Sequence, residues 1–468
     1  MKMLERVKSL FRATDMTVGK PWKQIVMFTL PMLIGNIAQQ LYSTVDSIVV
    51  GKYVGDNALS AVGSSAPILN LLLVLFVGIS MGAGILVAQY FGAKQREELS
   101  YTVGNCITLT AIASAIIMVL AVIVTRPLLI LLRTPESILD WCHGYLLILL
   151  VGCIGSAYYN ILGGILRGLG DAFSSLVYLL VATVLNIALD LLFVAKFEMG
   201  VAGVAWATII AQAVSALLCY RRLTKMMEHF DMGIKYMKLN KKFSMGVIRL
   251  GIPSGLTQAI MSLAMITVQS LTNSFGEMFI AANVIVMRVD GFAMLPNFSF
   301  GTAMTTYAGQ NVGAGKKDRV IQGAKQGTLV AVLTSTVMTG LILLFGKQLM
   351  GIFTDTKELV ELSRNLMGII AAGYIAMAVT QSLSGVMRGA GDTLTPMWIS
   401  LFTTVGVRVP LAYLLVHFSK TPELPQGDRR MVFVSLLCSW LLGALVTLVF
   451  YLKGKWKKIA FAEPVMEK

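Results

Sequence analysis

Twelve predominantly apolar runs succeed one another along the chain, at 23–49, 58–90, 100–124, 138–162, 172–196, 202–221, 246–273, 280–309, 320–345, 358–386, 395–418 and 431–452. A helix crosses the hydrocarbon core of a bilayer in about 20 residues, so each run is long enough to span one. Within lipid every backbone N–H and C=O must find its partner inside the segment, which leaves helices as the only form these runs can take. The fold class is therefore an all-α polytopic membrane protein. The chain is 56% hydrophobic and 13% charged, against about 25% charged in soluble globular chains.

The basic residues are unevenly distributed. Lys94, Arg96, Arg167, the stretch from Arg221 to Lys242, Lys316, Lys317, Arg319, Arg388 and the stretch from Lys453 to Lys458 follow even-numbered spans. The opposite loops carry only a scatter such as Lys52, Arg126, Lys196 and Lys347. The positive-inside rule then places both termini in the cytoplasm and the chain in the plasma membrane. It also accounts for the net charge of +15, so no nucleic-acid partner is expected. In residues 1–20, Leu4, Val7 and Phe11 share a helical face and Lys2, Arg6, Lys8 and Arg12 fill the rest, as in a helix lying on the inner leaflet. No small-x-small cleavage site follows, so the first span is expected to stay attached. The five cysteines form no CxxC and the three histidines are scattered. Neither a disulfide framework nor a metal site is expected, and no cofactor. An enzyme would need a nucleophile–base pair or a metal set within the spans, and none is present.

An internal repeat organises the spans. GILRGLGD at 164–171 returns as GVMRGAGD at 385–392, and AQYFGAK at 88–94 returns as GQNVGAG at 309–315, both 221 residues on (392 − 171 and 310 − 89). Pro31 and Pro253 fall within one residue of the same register. Six spans per repeat is an even number, so the two halves enter the membrane in the same sense. Such parallel repeats place a substrate site between them and move one against the other for alternating access. The expected organisation is an amphipathic segment 1–20, an N lobe 21–221, a cytoplasmic linker 222–244, a C lobe 245–453 and a tail 454–468. The glycines of R-G-x-G-D permit a tight cytoplasmic turn, where Arg167 and Asp171, or Arg388 and Asp392, can pair or cap helix ends.

Polar residues inside the spans point to function. In the first span Asn36, Gln40, Ser43 and Asp46 recur at steps of four, three and three, forming one wet face, with Tyr42 on its flank. An aspartate at mid-membrane costs roughly 2.5–3.5 kcal/mol on insertion scales and marks an ion or substrate path. Pro31 removes a backbone hydrogen bond and is expected to bend that helix. In the fifth span Asn186 and Asp190 are four apart and share a face. If the two faces meet, the two carboxylates converge with an amide and with Tyr42, Asn160 and Thr208. Neighbouring carboxylates out of water resist double ionisation, so a proton or a small cation must neutralise them. Oxygen ligands suit H⁺ or Na⁺ rather than zinc or copper. The positions 221 residues after Asp46 and Asp190 are Thr267 and Leu411, so these acids belong to the first half alone.

The second half has Arg288 and Asp290 in span 8 and Arg408 in span 11, with Asp290 and Arg408 as a reasonable cross-helix pair. Span 7 carries Ser254, Gln258, Ser262 and Gln269. The methionines, including Met261, Met265, Met287 and Met294, either line an adaptable pocket or fill the packing. Asn36, Gln40, Gln258, Ser262, Asp290 and Arg288 are the candidate substrate-cavity residues.

LPMLIGNIAQQLYSTVDSIVVGKYVGDNALSAVG, the AQYFGAK segment, the RGLGD and RGAGD turns and the twelve-span duplication closely resemble the multidrug and toxic compound extrusion (MATE) transporters, from about Pro21 to Tyr451. The resemblance implies two six-helix lobes around a V-shaped cavity. It implies export of organic, cationic or amphipathic compounds in exchange for H⁺ or Na⁺, by a monomer in the lipid bilayer. It also implies that Asp46 and the Asn186–Asp190 pair form the coupling site of the DinF-like branch, with Pro31 at the helix bend and Tyr42, Asn160 and Thr208 at matching positions. Spans 7 and 10 lack the mid-membrane acids of some relatives, so a Na⁺ site in the C lobe is not expected. A lipid-linked oligosaccharide flippase of related fold is the alternative; such proteins carry more cationic residues along the cavity.

Overall fold

A computed structural model of the protein describes residues 13–131 and 134–461, so the amphipathic helix expected within 1–20 lies, up to residue 12, outside the described residues. Twelve helical spans follow one another: Pro21–Tyr53, Asp56–Gly92, Arg96–Leu131, Glu136–Val151 with Cys153–Gly168, Ala172–Asp190 with a π-helical Leu191–Lys196, Gly200–Thr224, Lys241–Asn273, Glu277–Gly313, Lys317–Gly351, Lys357–Ala371 with Gly373–Gly389, Leu394–Ser400 with a π-helical Leu401–Arg408 and Val409–Phe418, and Met431–Lys453. There is no strand among the described residues. Spans 4 and 10 bend, by 50° at Gly152 and by 44° at Ala372.

The spacing of 221 residues recurs in the three-dimensional contacts. Between lipid-solvated helices there is little hydrophobic drive to associate, and small residues that let backbones approach take its place. In the first half Gly164 of span 4 lies against Ser80 of span 2, and Gly168 against Gly84; in the second half Gly385 lies against Gly301 and Gly389 against Thr305. The turns repeat as well. Lys94 at φ 57° is matched by Gly315 at 68°, and Gly170 at 87° by Gly391 at 92°. The aspartates of R-G-x-G-D cap the next helix: Asp171 accepts from the Ser174 N–H at 3.0 Å and its hydroxyl at 2.7 Å. Asp392 accepts from the Thr395 N–H at 3.1 Å and its hydroxyl at 2.8 Å. The pairing within the motif is not formed. Asp171 takes Arg222 at 2.7 Å, and Arg167 donates to Ser175 Oγ at 3.4 Å.

Two compact units result: Pro31–Gly255 with the described part of Met1–Asp15, and Leu256–Lys468 with Met16–Leu30. The boundaries therefore fall inside spans 1 and 7, beside Pro31 and Pro253, and not at the ends of the sequence repeat. A proline leaves the carbonyl four residues earlier without its helical partner, so the ladder is weakest where each helix passes from one unit to the other. Span 1 is nonetheless one continuous helix through Pro31.

In the first unit the core gathers Phe76, Leu99, Leu146, Leu166 and Phe230. Gly251 and Gly255 of span 7 lie against Gly78 and Val74 of span 2. The segment 222–244 is docked rather than free. Arg96 holds Asp231 at 2.7 Å, Asn105 Oδ1 accepts from the Asn240 N–H at 2.8 Å, Thr108 donates to the Met237 carbonyl at 2.7 Å, and the rings of Tyr101 and Phe243 stack at 5.3 Å. The hydrogen bond from Arg96 holds the exposed Asp231 carboxyl below the usual carboxylate range.

In the second unit the core gathers Phe279, Leu366, Ile370 and Tyr374. The stretch Met16–Leu30 is stapled to it. Gln310 Oε1 accepts the Met16 N–H at 2.9 Å. Arg319 donates to the Met16 carbonyl at 3.0 Å and to those of Val18 and Gly19 at 2.7 Å each. Lys316 donates to the Thr17 carbonyl at 2.9 Å, and Ile25 packs against Gly327.

Candidate functional site

In the first unit, spans 1, 5 and 6 bring together the polar faces read from the sequence. Tyr42 and Asp46 are one turn apart on span 1, and Asn186 and Asp190 one turn apart on span 5, so each pair projects from a single face. Asn186 is the centre. Its amide oxygen accepts the Thr208 backbone N–H at 3.2 Å, while its nitrogen donates to Asp190 Oδ2 at 2.9 Å and to Asp46 Oδ1 at 3.0 Å. This orientation is assigned from the hydrogen bonds it satisfies, since with both acids ionised the reverse would set the amide oxygen against two carboxylate oxygens. The hydroxyls of Tyr42 and Thr208 are 3.1 Å apart and hydrogen-bonded.

Burial makes this cluster demanding. Asp190 is 0% and Asn186 1% exposed, Asp46 is half-buried, and the surroundings are Val49, Val50, Leu149, Val194 and Val204. Asp190 Oδ1 is buried without a hydrogen-bond partner among the described residues. Immediately after Asp190 the helix widens into its π turn, with the Phe197 N–H reaching back to the Leu192 carbonyl at 3.0 Å. Such turns are frequent at functional sites. Subtracting 221 from the π stretch of span 11 gives 180–187, so the two widenings do not share the register of the repeat. Each adjoins an ionisable residue of its own half, the buried Asp190 in one and the half-buried Arg408 in the other.

The other expected residues divide. Asn160 is not in the cluster: its amide turns back along its own helix to the Ser156 carbonyl at 2.8 Å. Asn36 and Gln40 are half-buried on span 1, about 15 and 9 Å from Asp46 along the axis at 1.5 Å per residue. Tyr145, buried on span 4 and within electrostatic range of both carboxylates, was not foreseen; a lone tyrosine in an apolar run carries no periodic signal. No group of three or more His, Cys, Asp or Glu is arranged for a metal among the described residues.

The second unit contains a cavity of about 440 Å³ lined by Gln258, Ser262, Asp290, Arg388, Arg408 and Trp440, together with Met261, Met265, Met287 and Met294. Gln258, Ser262 and Asp290, three of the candidate substrate-cavity residues, line this cavity. Arg288 does not line it and is exposed, because two residues along a helix turns a side chain to another flank. Asp290 and Arg408, expected to pair, are within electrostatic range of each other but form no contact ion pair among the described residues. Asp290 Oδ1 instead accepts the Tyr374 hydroxyl at 2.9 Å, and Arg408 Nε is buried without a hydrogen-bond partner.

Comparison with known proteins agrees with the duplication. The MatE family model matches the chain twice, over residues 31–192 and 253–414. The probable multidrug resistance protein YoeA of Bacillus subtilis is 32% identical over 406 residues, which is 85% of this chain and 88% of that protein. The probable multidrug resistance protein NorM of Thermotoga maritima is 26% identical over 443 residues, 94% of each chain. The crystal structure of MATE in the straight conformation has the same fold, with a TM-score of 0.87 over 96% of this chain and 99% of that one at 24% identity. With one family model accounting for both halves of the helical duplication, this chain belongs to the MatE family, a family of multi-pass membrane transporters and not of enzymes.

Proposed function

We propose that this protein is a secondary antiporter, exporting amphipathic organic compounds across the plasma membrane in exchange for protons bound at Asp46 and Asp190. In this reading it acts as a monomer with both termini in the cytoplasm. The observation that carries it is the Asn186 amide nitrogen donating to both carboxylates at 2.9 and 3.0 Å. Two acids held this close among valines cannot both keep a charge, and a proton is the smallest species that relieves them. With its oxygen taken by the Thr208 N–H, the Asn186 amide offers the acids a donor rather than an oxygen ligand, an orientation that suits H⁺ better than Na⁺. The multidrug names of the relatives favour export of organic compounds over the flippase alternative.

Antiport requires that proton and substrate favour different conformations, since a ligand that binds both equally shifts neither. Asp46 lies on the same helix as Pro31, where span 1 passes from one unit to the other. Neutralising the acid and releasing it again would bias that junction in opposite directions. Proteoliposomes given either a pH gradient or a Na⁺ gradient test this. The pH gradient alone should drive uptake of a fluorescent organic substrate into inverted vesicles, and Asp46→Asn or Asp190→Asn should abolish it while leaving the protein folded. Full transport by the doubly substituted protein under both gradients would end the proposal.

A further inference from the structure

The cavity of the second unit holds charge that the proton site does not use. Arg388, in the last turn of span 10, and Arg408, closing the π stretch of span 11, both line it. The one carboxylate facing them, Asp290, is engaged by the Tyr374 hydroxyl. Neither guanidinium makes a hydrogen bond or an ion pair among the described residues, and the Nε of each is buried without a partner. A buried cation without a partner is strongly disfavoured, and a guanidinium offers five N–H donors in a rigid fork. These walls therefore carry two guanidinium groups against the single carboxylate of Asp290, an excess of positive charge. Arg388 has its repeat mate in Arg167 (388 − 221), but the mates of Asp290 and Arg408 are Leu69 and Ile187 (290 − 221 and 408 − 221), so the pairing of two arginines belongs to the second half alone.

We infer that this cavity binds the oxyanion of an organic substrate, a phosphate or carboxylate group, between the guanidinium groups of Arg388 and Arg408, with the apolar body of the compound against Met261, Met294 and Trp440. Arginine recognises both groups through paired N–H···O bonds. The volume of about 440 Å³ falls in the range of about 300–1,000 Å³ usual for small-molecule sites. An organic cation would meet two arginines and a single carboxylate, so the substrate is anionic or zwitterionic. The inference names the charge of the compound exported under the reading above; it rests on that reading for transport and not for binding.

Equilibrium binding to the purified full chain in phosphatidylcholine nanodiscs tests it, with 2-naphthoate, 2-naphthyl phosphate and 2-naphthylmethylammonium as probes that share one ring. Both anions should bind and the ammonium should not. Arg388→Gln and Arg408→Gln should each weaken the anions by about tenfold or more, the scale of a lost charge-assisted hydrogen bond. Arg388→Lys and Arg408→Lys keep the charge but lose the fork; they should give intermediate losses and serve if the glutamine variants fail to fold. Phosphatidylglycerol added to the discs separates sources: competition with naphthoate identifies a lipid headgroup as the oxyanion, and its absence identifies a soluble compound. Equal affinity for the ammonium probe, or anion binding that survives loss of both arginines, would overturn the inference. Binding in nanodiscs is read without any ion gradient and transport in proteoliposomes with one, so anion binding that persists where a pH gradient drives nothing marks a failure of proton coupling, and lost discrimination between the probes marks a failure of this site.

Discussion

Asn186 does the work that the sequence could assign only to a helical face. Its position four residues before Asp190 was readable from spacing, and so was the face of Asp46. That a single amide would bridge the two acids depends on how spans 1 and 5 pack, which no period records. Tyr374 makes the same point in the other half. It takes the hydroxyl-to-carboxylate contact with Asp290 that charge alone would have given to Arg408. If Asn186 couples the acids, Asn186→Leu should lower the thermal unfolding midpoint in detergent, and its effect should shrink once Asp46 is already Asn. The coupling in such a double-mutant cycle is expected at roughly 1–3 kcal/mol, the value of a hydrogen bond to a charged group. Strictly additive effects would show that the bridge carries no energy.

At the level of elements, the repeat made the turns and caps legible because they depend on local residues, a glycine with positive φ and an aspartate three residues before a donor. The direction of Arg388 was not legible. In the sequence it belongs to a turn motif, yet side chains on a helix lean toward its N-terminus, so an arginine in the last turn points back into the span and reaches the cavity. The caps also differ in a way the duplicated motif hides. Asp171 both caps span 5 and holds Arg222, with side chains 0% and 17% exposed, whereas Asp392 caps span 11 with no ion pair among the described residues. Asp392→Ala should therefore cost about 0.5–2 kcal/mol, the value of a lost N-cap. Asp171→Ala should cost more, because it also removes the 2.7 Å ion pair with Arg222. Unfolding midpoints of the two purified variants decide this, and equal losses would deny the Arg222 contact any weight.

For the whole molecule, span count and duplication followed from the length and order of the apolar runs. The division into units did not. It is set by what Met16–Leu30 and Lys241–Gly255 touch, and those contacts lie far away in sequence. Arg319, which donates to the carbonyls of Met16, Val18 and Gly19, is the main clasp on the first of these stretches. Arg319→Ala should raise hydrogen exchange at the amides of Met16–Gly19 well above that of the intact protein while the interior of span 9 stays protected. Unchanged protection would mean that the apolar contacts of Ile25 suffice.

The clasp also sets an order of events during synthesis. Met16 and its acceptor Gln310 are 294 residues apart, and a ribosome adding 5–20 residues per second needs roughly 15–60 s to make the intervening chain. For that time the beginning of the first helix has left the ribosome without the surface it finally occupies, while its later half can already settle among spans 2 to 6. A factor that shelters nascent membrane segments would be needed longest at the very start of this chain. For the same reason, cutting the gene in the 222–244 region gives two fragments that each carry a piece of the other's unit.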